Sequence, residues 1–134
     1  MSTRAAGPFD VRLNPLVPYE NTEGAMLGRM SLDKQFHGDL TAVSKGEMLT
    51  AGTAVKGSAG YVAIERVSGA LQGRTGTFSL QHNATMTRGT PHLEIIVVPD
   101  SGTGQLEGLG GTMAINIVDG KHSYLFEYTL PGTP

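Results

Sequence analysis

The sequence predicts an all-β protein, an eight-stranded antiparallel β-barrel. Segments in which apolar and polar residues alternate recur along the chain, and almost none of it has the apolar period of a helix. Glycine occurs 19 times in 134 residues and is spread along the chain, which is typical of the tight turns between barrel strands. The length predicts one domain over residues 1–134, and we expect residues 1–7 to be loosely ordered.

Each predicted strand is bounded by glycine, proline, asparagine or aspartate. The first covers residues 9–13, and residues 14–24 after it form a proline-containing connection that we expect to be a mobile flap. The other strands are predicted over residues 26–37, 40–53, 61–67, 76–87, 93–98, 112–118 and 122–130. Residues 93–98 are almost continuously apolar, which predicts a strand buried on both faces with a partner chain over its outer face.

Composition and charge exclude several classes of function. The chain has no cysteine, so it forms no disulfide, thiolate metal site or cysteine nucleophile. Its 10 basic residues are scattered against 12 acidic ones, which argues against a nucleic-acid partner. The four histidines do not share metal-site spacing, and we expect neither a metal nor another cofactor. Without a signal-peptide pattern or a membrane-spanning run, we expect a soluble cytoplasmic protein with no membrane partner.

An internal repeat marks two turns. Residues 68–80 and 103–115 both read hydroxyl-Gly-x-Leu-x-Gly-x-x-Gly-Thr-apolar-x-apolar. Glycine supplies the positive φ of a tight turn and the leucine packs beneath it, so each copy predicts a strand end, a turn and the next strand. Two copies therefore predict two equivalent corners of one sheet. Neither copy has the Gly-Lys-Ser/Thr ending of a phosphate-binding loop.

Several of these segments resemble a known family. The segments are Glu65-Arg66-Val67 with the first repeat copy and Gln81-His82, the run over residues 97–108 and the ending over residues 124–130. They resemble the family called domain of unknown function 3224. The resemblance covers nearly the whole chain from Gly7 onward. It implies an allene-oxide-cyclase-like barrel, a fold similar to that of dirigent proteins. It implies no activity, because the family has none established and a shared fold does not assign function.

The turn at Gly73 predicts which side chains face the barrel interior. If Gly73 and Arg74 form a two-residue turn, Glu65 lies opposite His82. One face of the hairpin is then mostly apolar, and we assign it to the interior. Its residues are Tyr61, Ala63, Glu65, Val67, Phe78, Leu80, His82, Ala84 and Met86. A three-residue turn would instead shift the pairing by one residue and set His82 opposite Arg66.

An interior of this composition predicts a ligand pocket, because such pockets are mostly apolar with a few polar groups. The first hypothesis is a barrel that binds a small apolar organic molecule. The side chains expected to contact that molecule are Tyr61, Phe78, Leu80 and Met86. The second hypothesis is a cofactor-independent cyclase or isomerase in which Glu65 and His82 are the catalytic acid and base.

A structural role is the alternative for the same residues. A glutamate and a histidine on neighbouring strands also form ion pairs that only hold a sheet together, and such pairs outnumber catalytic ones. Tyr61 is then a core tyrosine with a satisfied hydroxyl. This third hypothesis is an oligomeric interaction protein with a filled barrel and no pocket. We expect a homo-oligomer as the state of the protein.

Overall fold

A computed structural model, which describes residues 2–132, shows a closed antiparallel barrel of eight strands in sequence order. This confirms the predicted fold class. The strands are β1 (Thr3–Leu16), β2 (Leu27–Phe36), β3 (Leu40–Gly52), β4 (Ala59–Leu71), β5 (Arg74–Thr87), β6 (Thr90–Val97), β7 (Gly110–Val118) and β8 (Lys121–Thr129). A short 3₁₀ turn, Gly104–Leu106, lies between β6 and β7. The described residues contain no helix long and apolar enough to cross a bilayer.

Strand β1 begins earlier and ends later than the alternation at residues 9–13 predicted. Residues 3–7 were expected to be loosely ordered, but they pair with β8, with Thr3 opposite Tyr128 and Gly7 opposite Tyr124. Ala5 is buried and belongs to the core. Alanine, glycine and proline are weak strand formers, which explains why the sequence signal there was faint. Residues 1, 133 and 134 lie outside the described part of the chain.

The β4–β5 turn consists of Gln72 and Gly73, so the predicted turn at Gly73 and Arg74 was displaced by one residue. Leu71 pairs with Arg74, and both turn residues have positive φ, 45° for Gln72 and 87° for Gly73. Positive φ at both central residues defines a type I′ turn, whose twist matches the flanking strands. Glutamine rarely adopts this conformation, so a turn that begins at Gln72 was difficult to predict from the residue types.

The displaced turn shifts the β4–β5 pairing by two residues. Glu65 lies opposite Leu80 and His82 lies opposite Ala63, so the predicted direct pairing of Glu65 with His82 was wrong. Tyr61 likewise pairs with Ala84 rather than with Met86. Side chains in a strand alternate between faces with a period of two, so a shift of two preserves the predicted interior face.

The two repeat copies form different structures. The first forms the β4–β5 hairpin as predicted, but the second begins in the loop and 3₁₀ turn before β7. This loop pairs with the start of β5, where Thr103 N–H donates to Thr77 O at 2.8 Å and Gln105 Oε1 accepts from Thr75 N–H at 2.9 Å. A Cβ at Gly76 would lie 2.0 Å from Thr103 O, so glycine permits the close approach. The copies therefore contact each other and are not equivalent corners.

The barrel interior is filled at one end only. In the closed half, between the β4–β5 turn and the loop before β7, large side chains fill the interior. Those that are at most 1% exposed include Phe36, Leu40, Leu71, Phe78, Leu106 and Phe126. In the open half, inward positions carry small residues such as Ala63 and Ala84, or side chains open to solvent such as Met86 and Ile117.

Strand β6 differs from its prediction. Ile95 and Val97 are buried, but Leu93 is 40% exposed and Glu94 is exposed, so residues 93–98 are not buried on both faces. Along the seam with β7, only Ile95 and Ile96 have register partners, Met113 and Thr112. This seam is the narrowest strand pairing in the described barrel. Whether a partner chain covers β6 stays a prediction.

Candidate functional site

Four polar side chains from neighbouring strands meet inside the barrel. Lys34 on β2, Ser44 on β3, Glu65 on β4 and His82 on β5 are all buried, and Glu65 is 0% exposed. Each points inward because it shares the alternation of buried apolar residues in its own strand. We call these four residues the buried cluster.

The Glu65 carboxylate is the hub of the buried cluster. It accepts hydrogen bonds from Lys34 Nζ at 2.8 Å and from Ser44 Oγ at 2.7 Å. His82 Nε2 lies 2.6 Å from Glu65 Oε2. The Lys34 ammonium also lies over the aromatic rings of Phe9 and Phe36, 5.1 and 5.7 Å from their centroids. Both buried charges are therefore compensated.

Small residues make room for the buried cluster. Gly46 lies directly opposite Glu65, and a Cβ there would fall 2.0 Å from Ile64 O and 2.6 Å from Glu65 Cα. Ala63 lies opposite His82 and leaves space beside the imidazole. His82 and Glu65 are diagonal neighbours, and diagonal side chains on one face of a sheet are within reach of each other. The predicted contact between the two residues therefore exists, although the predicted pairing was wrong.

The surroundings of Glu65 determine its charge. Burial disfavours the carboxylate, but the hydrogen bond with His82 and the charge of Lys34 outweigh this and lower the pKa of Glu65 from 4.5 to about 2. Glu65 is therefore ionised at neutral pH, and it acts as an acceptor for its three partners. A second group responds to this charge, because burial and the negative charge of Glu65 raise the pKa of Tyr61 above 10.0.

The two imidazole nitrogens of His82 have different environments. An ionised Glu65 accepts a hydrogen bond from Nε2–H, which orients the ring. Nδ1 is buried and has no hydrogen-bond partner among the described residues. The ring centroid of Tyr61 lies 6.3 Å from that of His82. Buried polar atoms normally have a partner, so Nδ1 stands out as an unused hydrogen-bonding position.

The structure separates the four residues predicted to contact a ligand. Tyr61 and Met86 line the open half. Phe78 and Leu80 belong to the packed core, 1% and 0% exposed, and Phe78 stacks on Phe126 with centroids 5.8 Å apart. The sequence could not distinguish these pairs, because all four share one face of the β4–β5 hairpin and only the filling of the barrel tells its ends apart.

Lys34 and Ser44 were not among the predicted site residues. In β2, Lys34 alternates in step with Leu32 and Phe36, and this pattern placed it on the apolar face of that strand. A lysine on an apolar strand face requires a buried partner, so the signal for an interior ion pair was present. For Ser44, the only signal was its alternation with Leu40 and Ala42.

The open half contains a cavity of about 540 Å³. Its lining includes Thr50, Tyr61, Ala84, Met86, Leu93 and Ile117. The connections at the same end carry further exposed apolar side chains, among them Val17, Tyr19 and Val55. Within residues 2–132, no three histidine, aspartate or glutamate side chains are grouped as a metal site requires.

Comparison with known proteins places this barrel in a family. The family model described as "Protein of unknown function (DUF3224)" matches residues 5–128. The chain belongs to the DUF3224 family. A crystal structure of a DUF3224 protein with unknown function from Shewanella oneidensis MR-1 is 54% identical, with a TM-score of 0.93 over 99% of this chain and 100% of that one. No curated protein matches the chain.

A charge-removing substitution tests the buried cluster. Glu65→Gln leaves Lys34 buried without its counter-ion and should lower the free energy of unfolding by about 3–5 kcal/mol in urea denaturation. Adding Lys34→Met removes the unpaired charge and should recover most of the loss. The matched control is the exposed pair Arg29–Glu47, where Glu47→Gln should cost less than about 1 kcal/mol. Equal losses of unfolding free energy for Glu65→Gln and Glu47→Gln would contradict the assignment of Glu65 as the counter-ion of a buried Lys34.

The low pKa of Glu65 predicts a specific loss of stability in acid. Its pKa is lower in the folded state than the ordinary 4.5, so its contribution is fully present above pH 4.5 and disappears as the pH falls towards about 2. The lowered pKa corresponds to about 3 kcal/mol. Urea denaturation across this interval should show a smaller loss for the Lys34→Met/Glu65→Gln variant than for the unmodified protein. Parallel pH profiles would show that Glu65 is not the titrating group.

Proposed function

We propose that this DUF3224 protein binds a small, largely apolar organic molecule in the open half of its barrel. The observation that carries the proposal is the cavity of about 540 Å³, with its lining of Tyr61, Met86, Leu93 and Ile117, in a barrel whose other half is densely packed. Its volume is within the range of about 300–1,000 Å³ typical of ligand pockets. An apolar lining with few polar groups favours an apolar ligand.

The distribution of residue sizes supports a binding role. Inward positions of β3, β4 and β5 beside the cavity carry Gly52, Ala59 and Ala84, whereas β5 carries Phe78 and Leu80 in the closed half. Larger side chains in the open half would bury more apolar surface and stabilise the barrel. A function that requires the space explains why it is left unfilled.

The polar groups beside the cavity favour a ligand with a matching polar group. His82 is 3% exposed and does not line the cavity, but its ring centroid lies 6.3 Å from that of Tyr61, which does. His82 donates Nε2–H to Glu65, so in neutral His82 Nδ1 is the nitrogen left to accept an O–H or N–H from a ligand that reaches past Tyr61. Tyr61 keeps its hydroxyl proton because its pKa is raised, and it can donate to a carbonyl. We therefore propose an apolar molecule with a single hydroxyl, amide or carbonyl group.

A second candidate, a cofactor-independent isomerase, is favoured by the environment of His82. A carboxylate that orients one imidazole nitrogen while the other remains unpaired is the arrangement of a general base. In this proposal Nδ1 takes a proton from a C–H next to a ligand carbonyl and returns it to another carbon, so no oxidant is needed. Glu65 stays ionised, stabilises the imidazolium and acts as a positioning residue, not as the catalytic acid.

Filling the open half tests the binding proposal. Ala84→Phe places a phenyl ring in the cavity and should raise the Kd for the fluorescent probe 8-anilinonaphthalene-1-sulfonate about tenfold or more. Ala114→Phe, on the exposed outer face of β7, should leave the Kd unchanged and is the matched control. Native mass spectrometry of the purified protein should also detect a retained small molecule. Equal probe binding by both variants would argue against the cavity as the binding site.

Proton exchange tests the isomerase proposal. The molecule retained on purification, incubated with the protein in D₂O, should gain deuterium at carbon. His82→Gln should slow that gain about 10²-fold or more while the ligand still binds. Glu47→Gln, on the outer wall, should leave the rate unchanged. Binding without any deuterium gain would leave the protein as a binder and reject the enzymatic role.

A further inference from the structure

We infer that the outer wall of β3 and β4 is an interface between two copies of this chain. Most exposed large apolar side chains lie at the open end of the barrel or on its connections. Four others lie elsewhere, and all four occupy outward positions of these two strands. They are Val43, Leu49, Val62 and Ile64, each 51–54% exposed.

Strand pairing joins three of these residues into one patch. Leu49 lies directly opposite Val62, and Ile64 is the next outward residue along β4. Together they line a hollow of about 720 Å³ on the outer wall. We call Leu49, Val62 and Ile64 the outer patch. A contiguous exposed apolar patch on a barrel wall marks an interaction surface.

The border of the outer patch favours a second copy as its occupant. On one side lies the ion pair of Arg29 with Glu47, and on the other lie the amides of Gln81 and Asn83. Ile64 is paired with both Glu47 and Gln81, so these two side chains flank it symmetrically. A two-fold axis along β4 therefore brings the Glu47 carboxylate of one copy to the Gln81 amide of the other, twice.

The same axis places Val62 and Ile64 against their own counterparts and Leu49 against Asn83 of the other copy, so the contact covers the outer patch of both copies. The face that surrounds the patch belongs to β3, β4 and β5, the strands of 13, 13 and 14 residues. From strand rise and spacing it covers about 600 Å² in projection. A stable dimer buries about 800 Å² per copy, so the contact has to extend along β4 beyond Ile64 to the exposed Arg66 and its neighbour Lys45.

The interface is independent of the proposed ligand site, because the outer patch points away from the barrel interior. Sedimentation velocity at about 100 μM should give twice the chain mass of 14.1 kDa. Ile64→Arg and Val62→Arg should each give the monomer mass with an unchanged far-UV circular dichroism spectrum. Asn116→Arg, on the exposed outer face of β7, should remain dimeric. A monomeric unmodified protein, or a dimer that persists in both arginine variants, overturns the inference.

A cross-linking measurement locates the contact without weakening it. The chain has no cysteine, so Val62→Cys introduces a unique thiol near the axis. A short bis-maleimide should convert this variant to a covalent dimer, whereas Asn116→Cys should stay monomeric under denaturing electrophoresis. Equal cross-linking of the two variants, or none at Val62→Cys, would place the interface elsewhere and overturn the inference.

Discussion

One buried carboxylate connects half of the strands in this barrel. Glu65 on β4 accepts hydrogen bonds from side chains on β2, β3 and β5, and it lies completely inside. A buried charge without partners costs several kcal/mol, so Lys34, Ser44 and His82 must all point inward at the same level. A one-residue slip of any of these strands would turn its partner outward. The register of four strands and the buried cluster therefore depend on each other.

The cluster also marks the border between two differently built halves. In the closed half the interior is packed, and Leu106 and Leu109 of the loop before β7 cover the end of the barrel. Tyr124 strengthens the same end, because its hydroxyl donates to His37 O at 2.7 Å and accepts from Leu40 N–H at 2.8 Å. In the open half, on the other side of the buried cluster, small side chains leave the interior open. The buried cluster therefore lies between the packed half of the interior and the open half.

Local pattern predicted the fold and half of the cluster. The alternation of each strand assigned Glu65 and His82 to the interior. That assignment held although the turn was misplaced by one residue, because the resulting error in the β4–β5 pairing was two residues. An odd error would have reversed every side chain on one strand. Lys34 carried the same alternation signal, but it was not connected with Glu65, because the two residues lie on different strands and 31 positions apart. Phe78 and Leu80 were assigned to a pocket because alternation identifies a face but not a level along the barrel axis.

Neighbouring residues in the sequence were enough to predict most of the strands and their inward faces, because strand geometry repeats every two residues. Which end of the barrel is filled became clear from the folded chain alone. That outcome depends on the loop before β7 packing against β5, a contact between residues such as Thr103 and Thr77 that lie far apart in the chain. The folded structure also shows that one carboxylate accepts hydrogen bonds from three partners. The position of each side chain along the barrel axis depends on the pairing between strands and not on the sequence of its own strand.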